Sequence, residues 1–115
     1  MEKMYYSIRE TAEIVGEAES TLRYWESEFQ DIISPKRNEG GTRFYAEKDM
    51  EDVRLVQFLL RDQKLTLDGA RNALKNNRDD AVKQAKMMWH LQRIRSELLA
   101  LRKAFDEAEK IRNGA

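Results

Sequence analysis

Asn38-Glu39-Gly40-Gly41-Thr42-Arg43-Phe44-Tyr45 sets two adjacent glycines beside an Arg-aromatic-aromatic triplet, in a chain of 115 residues that holds five glycines in all. A tight hairpin needs positive φ at its turn, and glycine supplies it without steric cost. The stretch is therefore read as the turn of a small β-hairpin. Lys36-Arg37-Asn38 and Arg43-Phe44-Tyr45 are its strands, and Glu39-Gly40-Gly41-Thr42 lies between them. Such a hairpin brings Arg37 and Arg43 close together.

Upstream, Ser34-Pro35 breaks a preceding helix. That helix opens at Ser20-Thr21-Leu22-Arg23-Tyr24-Trp25-Glu26. Leu22, Trp25 and Phe29 form its inward face at i, i+3 and i+7, and Ser20, Arg23, Tyr24 and Ser27 point outward. Before it, Ser7-Ile8-Arg9-Glu10 has the form of a capping box, in which the Ser accepts from the N3 amide and the Glu reaches back. The helix it starts carries Ile8, Ala12 and Val15 on one face and stops at Gly16. Two short helices joined by a Gly-containing turn are a helix-turn-helix in outline.

Downstream, residues 47–62 read as a third helix with Met50, Val53, Val56, Leu59 and Leu60 on its apolar face. Thr66 is the expected N-cap of a fourth, with Leu67, Ala70 and Leu74 inward. Asn76-Asn77-Arg78-Asp79-Asp80 is a polar joint. Beyond it Met87, Leu91, Ile94, Leu98, Leu101, Phe105 and Ala108 recur at alternating spacings of four and three, the a/d seam of a coiled coil. A helix of about 30 residues is roughly 45 Å long, too long to bury its stripe on the small domain before it. The stripe calls for another chain.

Bulk composition sets limits on function. The chain is 41% hydrophobic and 37% charged, with one proline and no cysteine. This suits a mostly helical domain with solvated faces and leaves no disulfide frame or thiolate metal site. No apolar run reaches the roughly 18 residues of a membrane span, and the N-terminus lacks a signal core, so a soluble cytoplasmic protein is expected. The net charge is zero, but unevenly spread. Residues 1–75 hold 12 Lys/Arg against 15 Asp/Glu, and residues 76–115 hold 9 against 6. A net basic domain is the usual footprint of nucleic-acid binding. The segment 1–75 is net acidic, so a DNA reading rests on where the positive charges sit. Catalysis finds no support: there is no Cys, no His-acid pairing at helical spacing and no phosphate loop. Glu26 and Glu28 fit a solvated helix edge, and His90, the one histidine, has no metal-ligand company. No cofactor and no metal are expected.

The order helix-turn-helix, basic hairpin, helix pair, long coiled-coil helix is carried by "YSIRETAEIVG", "TLRYWE", "PKRNEGGTRFY" and "LTLDGA". Over about residues 5–75 these resemble the DNA-binding domain of the MerR family of bacterial transcriptional regulators, and the last helix is similar to that family's antiparallel dimerisation helix. The resemblance implies a mainly α fold: a winged helix-turn-helix domain over 1–76 with a small β-hairpin wing, then a coiled-coil dimerisation helix over 77–115. It implies a homodimer on a pseudo-palindromic operator in double-stranded DNA, with RNA polymerase as a further partner at the promoter. Ala18, Glu19, Ser20 and Thr21 would enter the major groove, and Arg23 would contact phosphate beside Tyr24. Arg37 and Arg43 would reach the backbone from the wing, with Gly41 and Thr42 between them and Tyr45 packing beneath. Gly40 and Gly41 would let the backbone come close to a phosphate. Met87, Leu91, Ile94, Leu98, Leu101, Phe105 and Ala108 would form the dimer seam.

Three features depart from the family pattern. Thr42 stands where an aromatic is usual, and Ala46 stands where a Ser or Thr usually caps the next helix. Sequence ends after the dimer helix, so neither a ligand-binding domain nor a cysteine metal loop is expected. Other readings stay open. The three arginines also suit a solvated surface; Glu19 suits either a cytosine N4 contact or a helix N-terminus; Trp25 and Trp89 suit packing. A second class of function, a protein-interaction module like the chaperone-modulator proteins that use a similar scaffold, fits the acidic segment 1–75. The arginines across the hairpin oppose it.

Overall fold

The computed structural model describes residues 4–114. Its elements run α1 (Ile8–Val15), α2 (Glu19–Glu28), β1 (Lys36–Arg37), β2 (Arg43–Phe44), α3 (Glu47–Gln57) continued by a π turn (Phe58–Asp62), α4 (Leu67–Asn76) and α5 (Arg78–Gly114). The described chain divides into two compact units at the Ala81–Val82 peptide.

In the first unit the local signals act as the sequence predicts. Ser7 Oγ accepts from Glu10 N–H and Glu10 Oε1 accepts from Ser7 N–H, both at 3.0 Å, closing the capping box of α1. Gly16 ends α1 at φ 77°, its N–H donating to Ala12 O. Leu22, Trp25 and Phe29 are buried, whereas Arg23 and Tyr24 are exposed. Thr66 Oγ1 caps α4 by accepting from Gly69 N–H at 3.0 Å. At α3 the cap residue is Ala46, which has no accepting side chain. Asp49 supplies the other half of a box, accepting from Ala46 N–H at 2.8 Å.

The hairpin pairs Lys36 with Phe44 and Arg37 with Arg43, antiparallel. Asn38 N–H donates to Thr42 O at 3.1 Å, and Asn38 Oδ1 accepts from Thr42 N–H at 3.0 Å. One glycine, Gly41, has positive φ (83°), whereas Gly40 does not. The turn thus uses a single left-handed residue, at the last of the three positions 39–41 enclosed by the Asn38–Thr42 hydrogen bonds, and the expectation for both glycines narrows to Gly41. Tyr6 and Tyr45 exchange backbone hydrogen bonds of 2.8 Å, so the segment before α1 lies beside the wing as a third, single-residue strand.

Two further features position α2. The helix read over 47–62 widens at its end, where Gln63 N–H reaches Phe58 O, and Lys64 follows with φ 56°. Phe58 and Leu59, neighbours in sequence, are both buried there. Gln57 then donates to Val15 O and to Glu17 Oε2, at 2.8 and 2.9 Å, and Arg61 pairs with Glu17 at 2.9 Å. The turn between α1 and α2 is thereby fixed to α3. Arg61 also stacks on Trp25 and Arg71 on Phe29, each 5.6 Å from the ring centre, so both aromatic anchors of α2 carry a cation on their outer face.

The last helix, α5, runs on through the second unit, with 37 helical residues counted from Arg78, about 56 Å at 1.5 Å per residue. Every seam residue from Met87 to Ala108 is exposed; Leu98 shows 60% of its surface and Phe105 67%. Among the described residues no helix is long and apolar enough to cross a membrane.

Candidate nucleic-acid interface

The outward face of α2 and the wing border one groove, lined by Arg23, Ser27, Gln30, Ser34, Arg37 and Arg43 together with Glu26. Three residues far apart in sequence (Arg23, Arg37 and Arg43) therefore meet at one opening. Ser27, Gln30 and Ser34 line the same opening, and arginines with such polar groups suit an anion with several acceptor oxygens.

The electrostatics of this groove differ from the sequence reading at one residue. Glu26 does not lie on a solvated helix edge. Its side chain is 13% exposed, and its two oxygens take the two wing arginines, Oε1 from Arg37 Nη2 and Oε2 from Arg43 Nε at 2.6 Å. Glu28 is not merely solvated either, since it accepts from Arg71 of α4. Two arginines directly opposite each other in an antiparallel pair repel, and a carboxylate that takes both relieves the repulsion. The repelling pair is present in the sequence, in the Arg37/Arg43 register. Which carboxylate meets it depends on how the wing packs against a helix earlier in the chain.

Other predicted residues take the following places. Ala18 is the exposed N-cap of α2 and makes no side-chain cap bond. Glu19 lies in the first turn and faces Arg23 one turn on, at 3.6 Å. Ser20 and Tyr24 are exposed and Thr21 is half-buried. Gly41 and Thr42 form the exposed tip of the wing. Tyr45 is fully buried, and its hydroxyl meets no hydrogen-bond partner among the described residues. Burial, with the Glu26 charge nearby, pushes its pKa up to about 12. It underlies the wing rather than facing outward. Tyr5 and Phe44 also pack edge to face at the wing, with ring centres 6.4 Å apart.

Several acids of the segment 1–75 are engaged inside the unit, while others, such as Glu13, Glu39, Glu47 and Asp62, are exposed. Glu10 and Asp49 cap helices, Glu17 holds Gln57 and Arg61, and Asp52 is buried against Arg78 at 2.9 Å. Net charge is thus a poor guide to the field at this groove, which depends on the local arrangement. Among the described residues no cluster of His, Cys, Asp and Glu is placed to hold a metal ion.

Residues 6–77 match the sequence profile of the MerR HTH family regulatory proteins. Regulator protein TubY of Clostridium botulinum C phage is 37% identical over 68 residues, which is 59% of this chain and 28% of TubY. Type II methyltransferase M.Eco47II of Escherichia coli is 32% identical over 63 residues, 55% of this chain and 15% of that protein. The chain spans less than a third of either relative's length. Among solved structures, HiNmlR, a MerR family regulator lacking the sensor domain and bound to promoter DNA, superposes with a TM-score of 0.55 at 22% identity, covering 90% of this chain and 80% of that one. A MerR family transcriptional regulator from Bacillus cereus gives 0.54 at 19% identity, over 84% and 73%. At those identities the likeness concerns the fold.

Proposed function

The chain belongs to the MerR family of helix-turn-helix regulatory proteins, and on that premise we propose that it is a sequence-specific regulator of transcription that binds double-stranded DNA as a homodimer. Residues 1–76 are the reading domain and 77–115 the dimerisation helix. Ala18, Glu19, Ser20 and Thr21, at the N-terminal end of α2, approach base edges in the major groove. Arg23, Arg37 and Arg43 hold the flanking phosphates, with Tyr24, Gly41 and Thr42 alongside and Tyr45 supporting the wing from below. Phosphate contacts fix register and base contacts give sequence. The reading rests above all on the meeting of Arg23, Arg37 and Arg43 at one groove beside the exposed face of α2.

The α5 stripe is the proposed dimer seam. Its apolar and small residues at heptad spacing stay exposed on one chain, and a second copy in antiparallel register is the occupant that the family premise supplies. An inverted repeat in the DNA follows from the two-fold symmetry. Cytoplasmic location and contact with RNA polymerase at the promoter belong to the same proposal.

Selection from a random duplex pool with the purified protein at moderate salt tests this reading. Enrichment of an inverted repeat is expected. A folded, dimeric protein that enriches nothing, yet retains a protein partner in nuclease-treated pull-downs, would overturn it in favour of a protein-interaction module.

A further inference from the structure

The groove between α2 and the wing contains a carboxylate where an incoming phosphate would be expected. Arg37 and Arg43 face each other across strands of two residues each, and a two-stranded hairpin of that size is not stable alone. Glu26 lies one turn along α2 from Arg23 and takes one guanidinium on each oxygen. Its side chain and that of Arg43 are largely buried, whereas Arg37 is about half exposed. A two-oxygen anion bridging two guanidiniums has the geometry that a phosphate offers to the same pair.

We propose that Glu26 is a positioning residue for the DNA interface: an internal counter-anion that ties the wing to the recognition helix and limits the positive charge available to DNA of any sequence. This rests on the DNA-binding reading above. Its physical content is a competition. A phosphate reaching Arg37 and Arg43 must share them with Glu26, so the arginines release fewer counterions than their number suggests. In return the wing keeps a fixed place relative to α2, which lets backbone contacts set the register of the reading helix.

Glu26→Gln keeps the shape and helix propensity and removes the charge. Glu28→Gln is the matched control, because it changes net charge equally and breaks an ion pair of the same helix, but with Arg71 rather than the wing. Both variants are titrated against a random-sequence duplex of about 30 base pairs between about 50 and 200 mM salt. For Glu26→Gln the log–log salt slope should steepen by about one, so that affinity falls roughly fourfold more across that range than for wild type. Glu28→Gln should keep the wild-type slope. In DNA-free protein the Arg43 Nε–H signal should exchange slowly with solvent in wild type and Glu28→Gln, and rapidly in Glu26→Gln. Equal slopes for both variants, or an Arg43 signal indifferent to Glu26, would overturn the proposal. Wild-type protein that binds no duplex even at low salt would instead sink the DNA reading itself. Thermal melts decide whether a weakened Glu26→Gln is simply unfolded. Should it be, Glu26→Asp takes its place, with the charge kept, one methylene lost, and an intermediate exchange rate expected at Arg43.

Discussion

The groove beside α2 and the stripe along α5 treat their demanding residues in opposite ways. Around α2 nearly every charged or aromatic group has its partner within the same chain: Glu26 with Arg37 and Arg43, Glu17 with Arg61, Glu28 with Arg71, Trp25 beneath a guanidinium. Along α5 the regular apolar residues stay exposed instead: Leu91, Leu98, Leu101 and Phe105 each show more than half of their surface. One region is complete as a monomer. The other is periodic and unfinished, and the same type of substitution should have different consequences in each.

The largest effect is expected in the complete region. Leu22 on the inward face of α2 is buried, at 1% exposure. Leu22→Ala should cost about 2–5 kcal/mol, a large part of the roughly 5–15 kcal/mol that holds a small domain folded. Urea unfolding followed by tryptophan fluorescence measures it, and the loss should not depend on protein concentration. A concentration-dependent loss would mean that the first unit is not self-sufficient.

Leu98→Glu should do the reverse. It places a charge in the middle of the proposed seam and should weaken the dimer by at least about a hundredfold, roughly 2.7 kcal/mol, while the first unit unfolds at the wild-type urea concentration. Most helical stability in proteins comes from packing of an apolar face, so α5 should lose circular dichroism signal as the dimer dissociates. Sedimentation that finds wild type monomeric at micromolar concentration would remove the comparison altogether.

Arg43→Ala has a smaller effect, confined to the groove. Binding should weaken about equally for all sequences, and the salt slope should flatten by about one unit. A change of sequence preference at constant slope would place Arg43 on a base edge instead.

How much of this the sequence shows depends on the distance over which each feature is decided. Ser7 with Glu10, Gly16, Thr66, and the Leu22-Trp25-Phe29 face are fixed within one or two helical turns, and all are legible. So is the heptad from Met87 to Ala108. The π turn is not, because widening by one residue leaves the hydrophobic period almost unchanged. The Tyr6–Tyr45 bridge joins residues from opposite sides of the helix-turn-helix; Tyr45 directly follows β2, but Tyr6 lies in no strand that would announce it. Glu26 reads as solvated for a related reason: on a helical wheel it borders the polar face, and only the docked wing covers it. The site arginines are visible as residue types and spacings, but the groove they share is a product of tertiary packing.

The smallest expected effect tests what the charge pairs of the first unit contribute. Asp52 is buried, and Arg78 at the start of α5 donates to it at 2.9 Å. Burial raises the Asp52 pKa above the ordinary carboxyl value, and the Arg78 hydrogen bond and charge offset this only in part. A carboxyl raised on folding binds its proton more tightly in the native state than in the unfolded one. The stabilisation from that proton is complete below the unfolded pKa, about 3.9, and is lost as pH rises through the native value. At neutral pH the ionised Asp52 is therefore a net cost that Arg78 reduces. Asp52→Asn keeps an acceptor for Arg78 and has no charge to desolvate, so at pH 7 it should match or slightly exceed wild-type stability, by less than about 1 kcal/mol. Its standing against wild type should worsen as pH falls toward 4, where wild type recovers the proton. Arg78→Ala should cost more, roughly 1–3 kcal/mol, because it leaves a buried carboxylate without its donor. Urea unfolding of the three proteins at pH 7 and pH 4 separates these outcomes. A loss of about 3 kcal/mol for Asp52→Asn at pH 7, the scale of a broken buried pair, would show the ion pair itself to be stabilising. The expected near-neutrality would mean that this pair, with Asp52 buried and Arg78 partly exposed, fixes where α5 begins and adds little energy, because desolvation of the carboxylate offsets the attraction.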